Sequence, residues 1–214
     1  MMQAKALTGP VSSTIVMGSA KALTLVGTGI SDGDALKFVS EGDCAEDVAG
    51  IHGGELTVEG SAVVATFTTP GDYSICFQFG SEPYKLYPDF SLSVLQVTAP
   101  ATSSAVVSAP LTLAIQGSGI AAGDRVKFIP SSSTSCSDYV SSIHGEPATV
   151  AADGTTTLTF RASGMGFQMC YKFNTQPYAL FGGLVLNARQ IMGPTSVTLT
   201  VDVPETIEFT GMGL

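Results

Sequence analysis

The sequence contains no tryptophan and only two histidines, and it has 9 Lys and Arg against 18 Asp and Glu. The formal net charge of -9 at pH 7 leaves no basic face of the kind that phosphate binding requires, which argues against a nucleic-acid partner. The same shortage of positive charge argues against docking on anionic lipid. Because only 13% of the residues are charged, the surface must be rich in neutral Ser, Thr and Gly, and the hydroxyls of Ser and Thr offer sites for O-linked sugars.

Long apolar runs and long helical periodicity are missing as well. No apolar run reaches the roughly 20 residues of a transmembrane helix, so we predict no membrane span. Residues 1–5 lack the apolar core of a signal peptide, and we expect any secretion signal to lie upstream or to have been removed. The 24 Gly and 11 Pro fall at short intervals, which is typical of a chain built from many short strands and turns.

What the sequence does contain is an internal repeat. Residues 25–30 (LVGTGI) recur as residues 115–120 (IQGSGI), and residues 33–38 (GDALKF) recur as residues 123–128 (GDRVKF). Matching positions downstream pair Cys44 with Cys136, His52 with His144, Cys76 with Cys170, Tyr84 with Tyr178, and Tyr87 with Phe181. The period of about 90 to 94 residues is the size of one immunoglobulin-type sandwich.

Parts of further copies flank the two repeats. Residues 209–214 (FTGMGL) begin a third copy, whereas residues 7–10 (LTGP) match the segments that close a repeat at 97–100 and 191–194. We predict four segments: 1–9 as the closing strand of a preceding repeat, 10–99 as repeat 1, 100–193 as repeat 2, and 194–214 as the opening strand of a third repeat or a donor strand. A lone strand neither buries its apolar face nor pairs its backbone. Each end therefore needs a partner, either an adjacent repeat of a covalent array or a neighbouring subunit of a filament.

Alternation of apolar and polar residues predicts the fold class. Leu36 and Phe38 face inward on either side of an outward Lys37, and the second repeat copies this pattern. Each repeat contains about seven such short segments, of which the last lie near residues 91–97 and 183–190. We predict an all-β protein with two tandem immunoglobulin-like β-sandwiches of about seven strands, and an extra terminal strand from a neighbouring repeat at each end.

The four cysteines occur two per repeat. The simplest pairing is Cys44–Cys76 and Cys136–Cys170, which closes loops of about 33 residues. Each disulfide would stabilise its repeat by roughly 3–4 kcal/mol in the chain-entropy model and indicates an oxidising compartment. A zinc site is the rival interpretation, but two cysteines and one histidine per repeat give at most three ligands, so we predict no metal and no cofactor.

The sixth strand predicts where its cysteine points. Tyr73, Ile75 and Phe77 share the apolar face, so Cys76 lies on the opposite face. We therefore expect the disulfide to clip a loop onto the outer face of the sandwich, unlike the buried bridge between sheets in antibody domains.

The two histidines fall at matching places inside the clipped loops. His52 and His144 could form Cys–His nucleophilic pairs or could be loop imidazoles bonded to the backbone. A cysteine in a disulfide is no nucleophile, which favours the second interpretation. Since the sequence has no recurring acid–base pair, nucleophile motif or metal constellation, we predict that the protein is not an enzyme.

An acidic cluster surrounds the first cysteine of repeat 1. Glu41, Asp43, Glu46 and Asp47 could bind calcium or could form a solvated acidic loop. Repeat 2 has serines there instead, and the spacing matches no calcium loop.

A Pro-Tyr-x-Leu-aromatic motif precedes the last strand of each repeat. Its aromatic residues could pack against a neighbouring domain, cap their own sandwich or stack on sugars, and we favour the first. A second candidate interface is the C-terminal segment, where apolar residues alternate with threonine. The predicted interface residues are Tyr84, Tyr87, Phe90, Tyr178, Phe181, Val197, Leu199, Val201, Ile207 and Phe209.

The repeated motifs carry a family resemblance. Residues 23–30 (LTLVGTGI) followed by residues 33–38 (GDALKF) resemble the opening strands of IPT/TIG-type, early-set immunoglobulin-like domains. There a T-[IV]-x-G-x-G-[FIL] strand is followed by G-D-x-V-x-[FV]. The resemblance implies a sandwich fold with a scaffold or adhesive role, and tandem copies of this kind look like those in surface fibres and adhesins.

Together these features predict a structural subunit or segment of an extracellular filament or surface fibre. It would assemble end to end through its immunoglobulin-like domains and through complementation of its terminal strands. Its partners would be copies of itself or adjacent repeats in a homopolymer. The alternative is a cell-surface adhesin or carbohydrate-binding module with glycans as ligands.

Overall fold

The computed structural model describes residues 4–10, 14–40, 42–100, 102–137, 141–194, 198, 200–204 and 206–213, without the side chains of 102 and 103. The chain divides into two compact units, Met1–Gln96 and Val97–Leu214. Strands dominate both, and the predicted all-β class is confirmed. The only helix of the described residues is α1 (Ala49–His52), and no helix there is long and apolar enough to cross a membrane.

The first unit is a two-sheet sandwich. Its strands are β1 (Ala6–Pro10), β2 (Thr14–Val16), β3 (Lys21–Thr28), β4 (Ala35–Val39), β5 (Leu56–Thr57), β6 (Ala62–Ala65), β7 (Gly71–Gln78) and β8 (Lys85–Ala99), whose last three residues belong to the second unit. The smaller sheet has the order β1-β3-β6, and the larger runs β8-β7-β4-β5 with β2 also on β8. Neighbouring strands are antiparallel except for the parallel pair β2 and β8.

The second unit repeats this plan. Its strands are β9 (Thr102–Val106), β10 (Pro110–Ala114), β11 (Gln116–Ser118), β12 (Arg125–Ile129), β13 (Ala148–Thr149), β14 (Thr155–Thr159), β15 (Gly164–Lys172), β16 (Ala179–Ile191) and β17 (Gly211–Met212). One sheet pairs β10 with β14, and the other has the order β13-β12-β15-β16, with β9 parallel to β16. The short β17 pairs with the end of β16.

The alternation in the sequence accounts for the core of the first unit. Leu23 on the smaller sheet and Phe38, Ile75 and Leu92 on the larger sheet are buried in one cluster. Thr24, next to Leu23, is exposed, as period-2 patterning requires. Leu7 of β1 belongs to the same cluster, so the segment that the repeat pattern assigns to a preceding copy packs as the first strand of this unit.

The last strand of each repeat begins earlier than predicted. β8 starts at Lys85 and β16 at Ala179, so most of the Pro-Tyr-x-Leu-aromatic motif lies within the strand. The register shifts inside both strands: the partner changes from Ser91 to Tyr87 in β8, and from Val185 to Phe181 in β16. Irregular strands of this kind escape a search for strict alternation, because the extra residues reverse the inward and outward faces.

A close backbone approach fixes the first strand of the first unit. A Cβ atom added to Gly27 would stand 2.2 Å from the carbonyl oxygen of Ala6, far inside contact distance. Glycine at this position therefore lets β1 lie against β3.

Gly27→Ala should destabilise the first unit by about 1–3 kcal/mol, because the new methyl group must push β1 away from β3. Urea denaturation would measure the loss. Gly50→Ala is the matched control, since a Cβ at Gly50 of α1 meets nothing within 4 Å. Equal stability of the two variants would contradict the close-approach explanation.

Candidate functional site

Both predicted disulfides are present. Cys44 bonds Cys76 at a sequence separation of 32, and Cys136 bonds Cys170 at a separation of 34. Cys76 does point away from the face that holds Ile75, as the alternation along the strand predicts, but it is fully buried. The disulfide therefore holds a loop on the outer face, as predicted, and the loop covers that face and forms a second apolar cluster. The cluster joins Val39, Val48 and Cys76, with Cys44, Ile51, Tyr84 and Leu86 packed against it.

The histidines hold these loops against the sheet. His52 Nε2 accepts a hydrogen bond of 3.0 Å from the backbone N–H of Phe38, and His144 Nε2 accepts one of 2.9 Å from Phe128. Both imidazoles are buried, and the ring of His52 stands edge-on to Phe38 with centroids 5.6 Å apart. The interpretation as loop imidazoles bonded to the backbone is confirmed.

Burial sets the protonation state of both rings. Desolvation lowers the pKa of His52 and of His144, and the positive charge of Lys127 lowers the pKa of His144 further. To accept the N–H of the phenylalanine, Nε2 must carry no hydrogen, which a neutral imidazole protonated at Nδ1 provides; at His52 the same Nε2 also lies 3.3 Å from the carbonyl oxygen of Phe38. The loops are thus tied down by a disulfide and by a neutral histidine.

Acidification should weaken the fold before the carboxylates titrate. With a folded pKa below the unfolded value of 6.5, each histidine contributes stability that is present above that pH and lost as the pH falls. Urea denaturation at about pH 7.5 and about pH 5 would measure the difference, since most carboxylates stay ionised in that window. The double variant His52→Gln with His144→Gln should show a flatter pH dependence, and an unchanged dependence would contradict this role.

The aspartate of the repeated Gly-Asp motif is a buried anchor in the first unit. Asp34 is almost fully buried; its Oδ2 accepts the N–H of Ser31 at 2.8 Å and its Oδ1 accepts that of Gly80 at 2.7 Å. One carboxylate therefore ties the turn before β4 to the turn after β7. The role of Asp34 is not evident from the sequence, in which the only signal is the recurrence of this aspartate at the same place in both repeats.

The equivalent residue of the second unit makes one bond more. Asp124 accepts the N–H of Ala121 at 2.9 Å, the N–H of Asn174 at 2.7 Å and the hydroxyl of Tyr171 at 2.7 Å. Burial, followed by this bond to Asp124, raises the pKa of Tyr171 far above its usual range. The carboxylate joins the same two turns as in the first unit.

Asp124→Ala should lower the free energy of unfolding by about 3 kcal/mol, because the buried N–H and O–H groups that bond to its carboxylate lose their charged acceptor. Thermal or urea denaturation would measure the loss. Asp89→Ala, which changes an exposed carboxylate, is the control and should stay near wild type. A loss no larger than that of the control would contradict the anchoring role.

Two of the predicted interface aromatics pack on lysines of their own units. The Nζ of Lys37 lies 4.8 Å from the ring centroid of Tyr84, and the Nζ of Lys127 lies 4.8 Å from that of Tyr178. The Tyr84 hydroxyl also donates to the carboxylate of Glu55, and burial followed by this bond raises the pKa of Tyr84 far above its usual range. Both tyrosines cover the outward face of their own sheet.

The other three aromatics also have partners nearby. Tyr87 and Phe90 are stacked with centroids 6.2 Å apart and pack, partly buried, against the core of the first unit. Phe181 stands edge-on to Tyr171 and Phe173, at 6.5 Å and 6.3 Å. The five aromatics therefore lie in two separate units and cap them, and their role in contacts with another molecule stays a prediction.

The acidic loop bonds its own backbone. Asp43 accepts the N–H of Ala45 at 2.8 Å, and Asp47 accepts the N–H of Ala49 at 3.0 Å. Glu46 accepts the hydroxyl of Ser40 at 2.6 Å. Glu41 lies outside the described residues, and among those described no group of three or more histidines, cysteines or carboxylates is placed to hold a metal ion.

The C-terminal segment repeats the turn that precedes β3 and β10. In each copy a backbone N–H donates to the carbonyl three residues earlier: Ser19 to Val16 (3.1 Å), Ala109 to Val106 (3.1 Å) and Val203 to Thr200 (3.3 Å). The residue inside the bond has positive φ each time: Gly18 at 76°, Ser108 at 68° and Asp202 at 64°. Residues 200–203 therefore have the turn geometry of the two complete repeats, and the assignment of the C-terminal segment as the opening of a third copy stays a prediction.

The pairing of β17 with β16 follows the first unit in detail. A Cβ added to Gly211 would meet the carbonyl oxygen of Gln190 at 2.1 Å, which reproduces the 2.2 Å approach of Gly27 to Ala6. The register joins Gln190 to Met212 and Ile191 to Gly211. The end of β16 thus pairs with β17 in the same register in which β1 pairs with β3.

The third copy differs from the complete repeats in what it buries. The complete repeats bury three equivalent positions: Leu7 and Val97 are 5% and 3% exposed, Leu23 and Leu113 0% and 3%, Leu25 and Ile115 4% and 5%. The third copy exposes them: Ile191 65%, Ile207 39% and Phe209 60%. Of the other residues predicted for this strand, Val201 is 85% exposed, and Val197 and Leu199 lie outside the described residues. This segment is the candidate site; similarity between the repeats marks it in the sequence, and the exposure of Ile191 is visible only in the structure.

No protein family model matches the chain, and no curated protein sequence does. A solved structure with a similar fold is the C-terminal 282-residue fragment of intimin in complex with the translocated intimin receptor, at 13% identity and a TM-score of 0.38. Another is the Bacteroides ovatus glucan-utilisation protein SGBP-B with a mixed-linkage heptasaccharide, at 13% identity and a TM-score of 0.28. A third is murine CEACAM1b, at 12% identity and a TM-score of 0.29.

The three alignments cover 88%, 92% and 86% of this chain. This chain spans 65% of the intimin fragment, 51% of SGBP-B and 100% of CEACAM1b.

Proposed function

We propose that this chain is a structural, non-catalytic segment of an extracellular filament or adhesin-like stalk, built from immunoglobulin-like repeats joined end to end. The observation that carries the proposal is the third copy. Ile191, Ile207 and Phe209 are exposed there although the equivalent positions are core residues in both complete repeats. Apolar side chains arranged as half of a sandwich core need the other half.

The strand pairing supports joining through shared segments. β1 lies against β3 in the first unit, and the end of β16 lies against β17 in the same manner. Each repeat therefore ends in the strand with which the next one begins. This arrangement supports the proposal of terminal strand complementation with copies of itself or with adjacent repeats in a homopolymer.

The chemistry of the chain supports an extracellular location. All four cysteines are in disulfides within their own repeats, and such bonds persist in oxidising compartments. The net charge of -9 with few charged residues suits a surface that resists nonspecific binding to nucleic acid and to anionic membrane.

We further propose that the repeats are of the early-set, IPT/TIG type. The support is the shared pair of motifs, of which the Gly-Asp motif supplies the buried carboxylates of Asp34 and Asp124.

The test is association of the full chain. Wild type should form larger species with rising concentration in sedimentation velocity and end-to-end particles in electron micrographs. Phe209→Asp should remove this association, because it places a charge in the exposed half-core. Val64→Asp is the matched control, since Val64 is exposed to a similar degree, 63% against 60%, but belongs to the first unit. A monomer at all concentrations, or equal association of Phe209→Asp and wild type, would sink the complementation proposal.

A further inference from the structure

The extended segment of residues 206–210, which leads into β17, has a backbone edge that pairs with no strand of the described residues. In the first unit the equivalent strand, β3, pairs with β6 in a register that joins Leu23 to Val63. In the second unit β10 pairs with β14, which joins Leu113 to Thr156. Ile207 stands at this position in the third copy, and no strand among the described residues pairs with 206–208.

The complete repeats define what occupies such an edge. Val63, Ala65 and Phe67 of the first repeat are buried at every second position, whereas Val64 between them is exposed. The second repeat has the same arrangement, with buried Thr156, Leu158 and Phe160. Both phenylalanines pack against the phenylalanine of the Gly-Asp motif, with ring centroids 5.1 Å and 5.7 Å apart. The occupant is therefore an antiparallel strand with two small or aliphatic inward residues and then an inward aromatic one.

The receiving strand is already placed for such a partner. Its turn carries the same hydrogen bond and the same positive φ as in the complete repeats, and its far end is held by β16 through a bond of 2.8 Å from the N–H of Met192 to the carbonyl of Thr210. Preorganisation of one strand lowers the ordering cost for the next. The exposed side chains of Ile207 and Phe209 would be flanked by the inward residues of the incoming strand, as Leu23 is flanked by Val63 in the first unit.

We propose that the edge of residues 206–210 accepts, antiparallel, a strand of the β6 and β14 pattern from a further repeat of the same kind. The inference rests on the proposed function and deepens it by naming the segment that enters first. Main-chain hydrogen bonds supply affinity in such strand addition, and the alternating inward side chains supply specificity.

The experiment uses the full chain and two fluorescein-labelled synthetic peptides, residues 59–68 (EGSAVVATFT) and residues 153–162 (DGTTTLTFRA). Fluorescence anisotropy should show saturable binding of both. A peptide of the same composition as 59–68, shuffled so that apolar residues no longer alternate, should bind at least tenfold more weakly.

Two chain variants localise the binding. Ile207→Asp should weaken peptide binding at least tenfold, because it sets a carboxylate among the inward side chains. Val203→Asp is the control and should bind like wild type, since the equivalent Ser19 of the first repeat is exposed. Circular dichroism before each titration would establish that both variants keep the fold of the two complete repeats.

The inference is overturned if neither peptide binds saturably, if the shuffled peptide binds equally well, or if Ile207→Asp leaves binding unchanged. These outcomes are separable from failure of the proposed function. If the peptides bind but the chain stays monomeric, the proposal of a receptive edge is supported and that of end-to-end association is contradicted. If the chain associates and Phe209→Asp abolishes the association, but neither peptide binds, end-to-end assembly is supported and the edge of residues 206–210 is contradicted as the place where the partner enters.

Discussion

Pairing of strand edges and burial of strand faces is the constraint on which this molecule depends. A strand in water carries unmet hydrogen-bonding groups on each edge and an apolar face that needs a partner. β3 meets every part of this demand: β1 lies on one edge, β6 on the other, and the larger sheet covers its apolar face. In the third copy only one edge of the opening segment is paired, with β16. The distinction between a finished repeat and an unfinished one is therefore visible in single side chains.

The outer face of each larger sheet is covered by a loop that individual side-chain interactions hold in place, and not by a third layer of helices or strands. In the first unit a disulfide, a neutral histidine and a tyrosine over a lysine all act on the segment between β4 and β8. The buried aspartate does the same for the turns at one end of the sandwich. Recurrence of each device in the second unit explains why these residues stand out in the sequence although none has catalytic geometry.

Much of the fold could be predicted from the sequence because its signals are local. Alternation around Lys37 located β4, and matched cysteine positions located the disulfides. The role of Asp34 could not be predicted in this way, because its second partner, Gly80, lies 46 residues away and only the folded chain brings them together. The four-residue α1 is too short to show helical periodicity, and the shifted registers of β8 and β16 break the pattern that strand prediction uses.

The candidate site was only half visible in the sequence for a related reason. Similarity between copies marked residues 209–214 as an opening strand, but the consequence for Ile191 depends on burial, which sequence does not report. Alternation likewise assigned Cys76 to the outer face correctly, and only the packing of the loop revealed that this face is closed.

The internal disulfides have a bearing on how chains of this kind can be joined. Each of the four cysteines is bonded to a partner inside its own repeat, which leaves no thiol for a covalent link between molecules. None of these four sulfur atoms is available for a disulfide between copies of this chain, so the association proposed above should be reversed by dilution or denaturant without reducing agent. The lifetime of such a polymer would then be set by the rate at which adjacent copies dissociate.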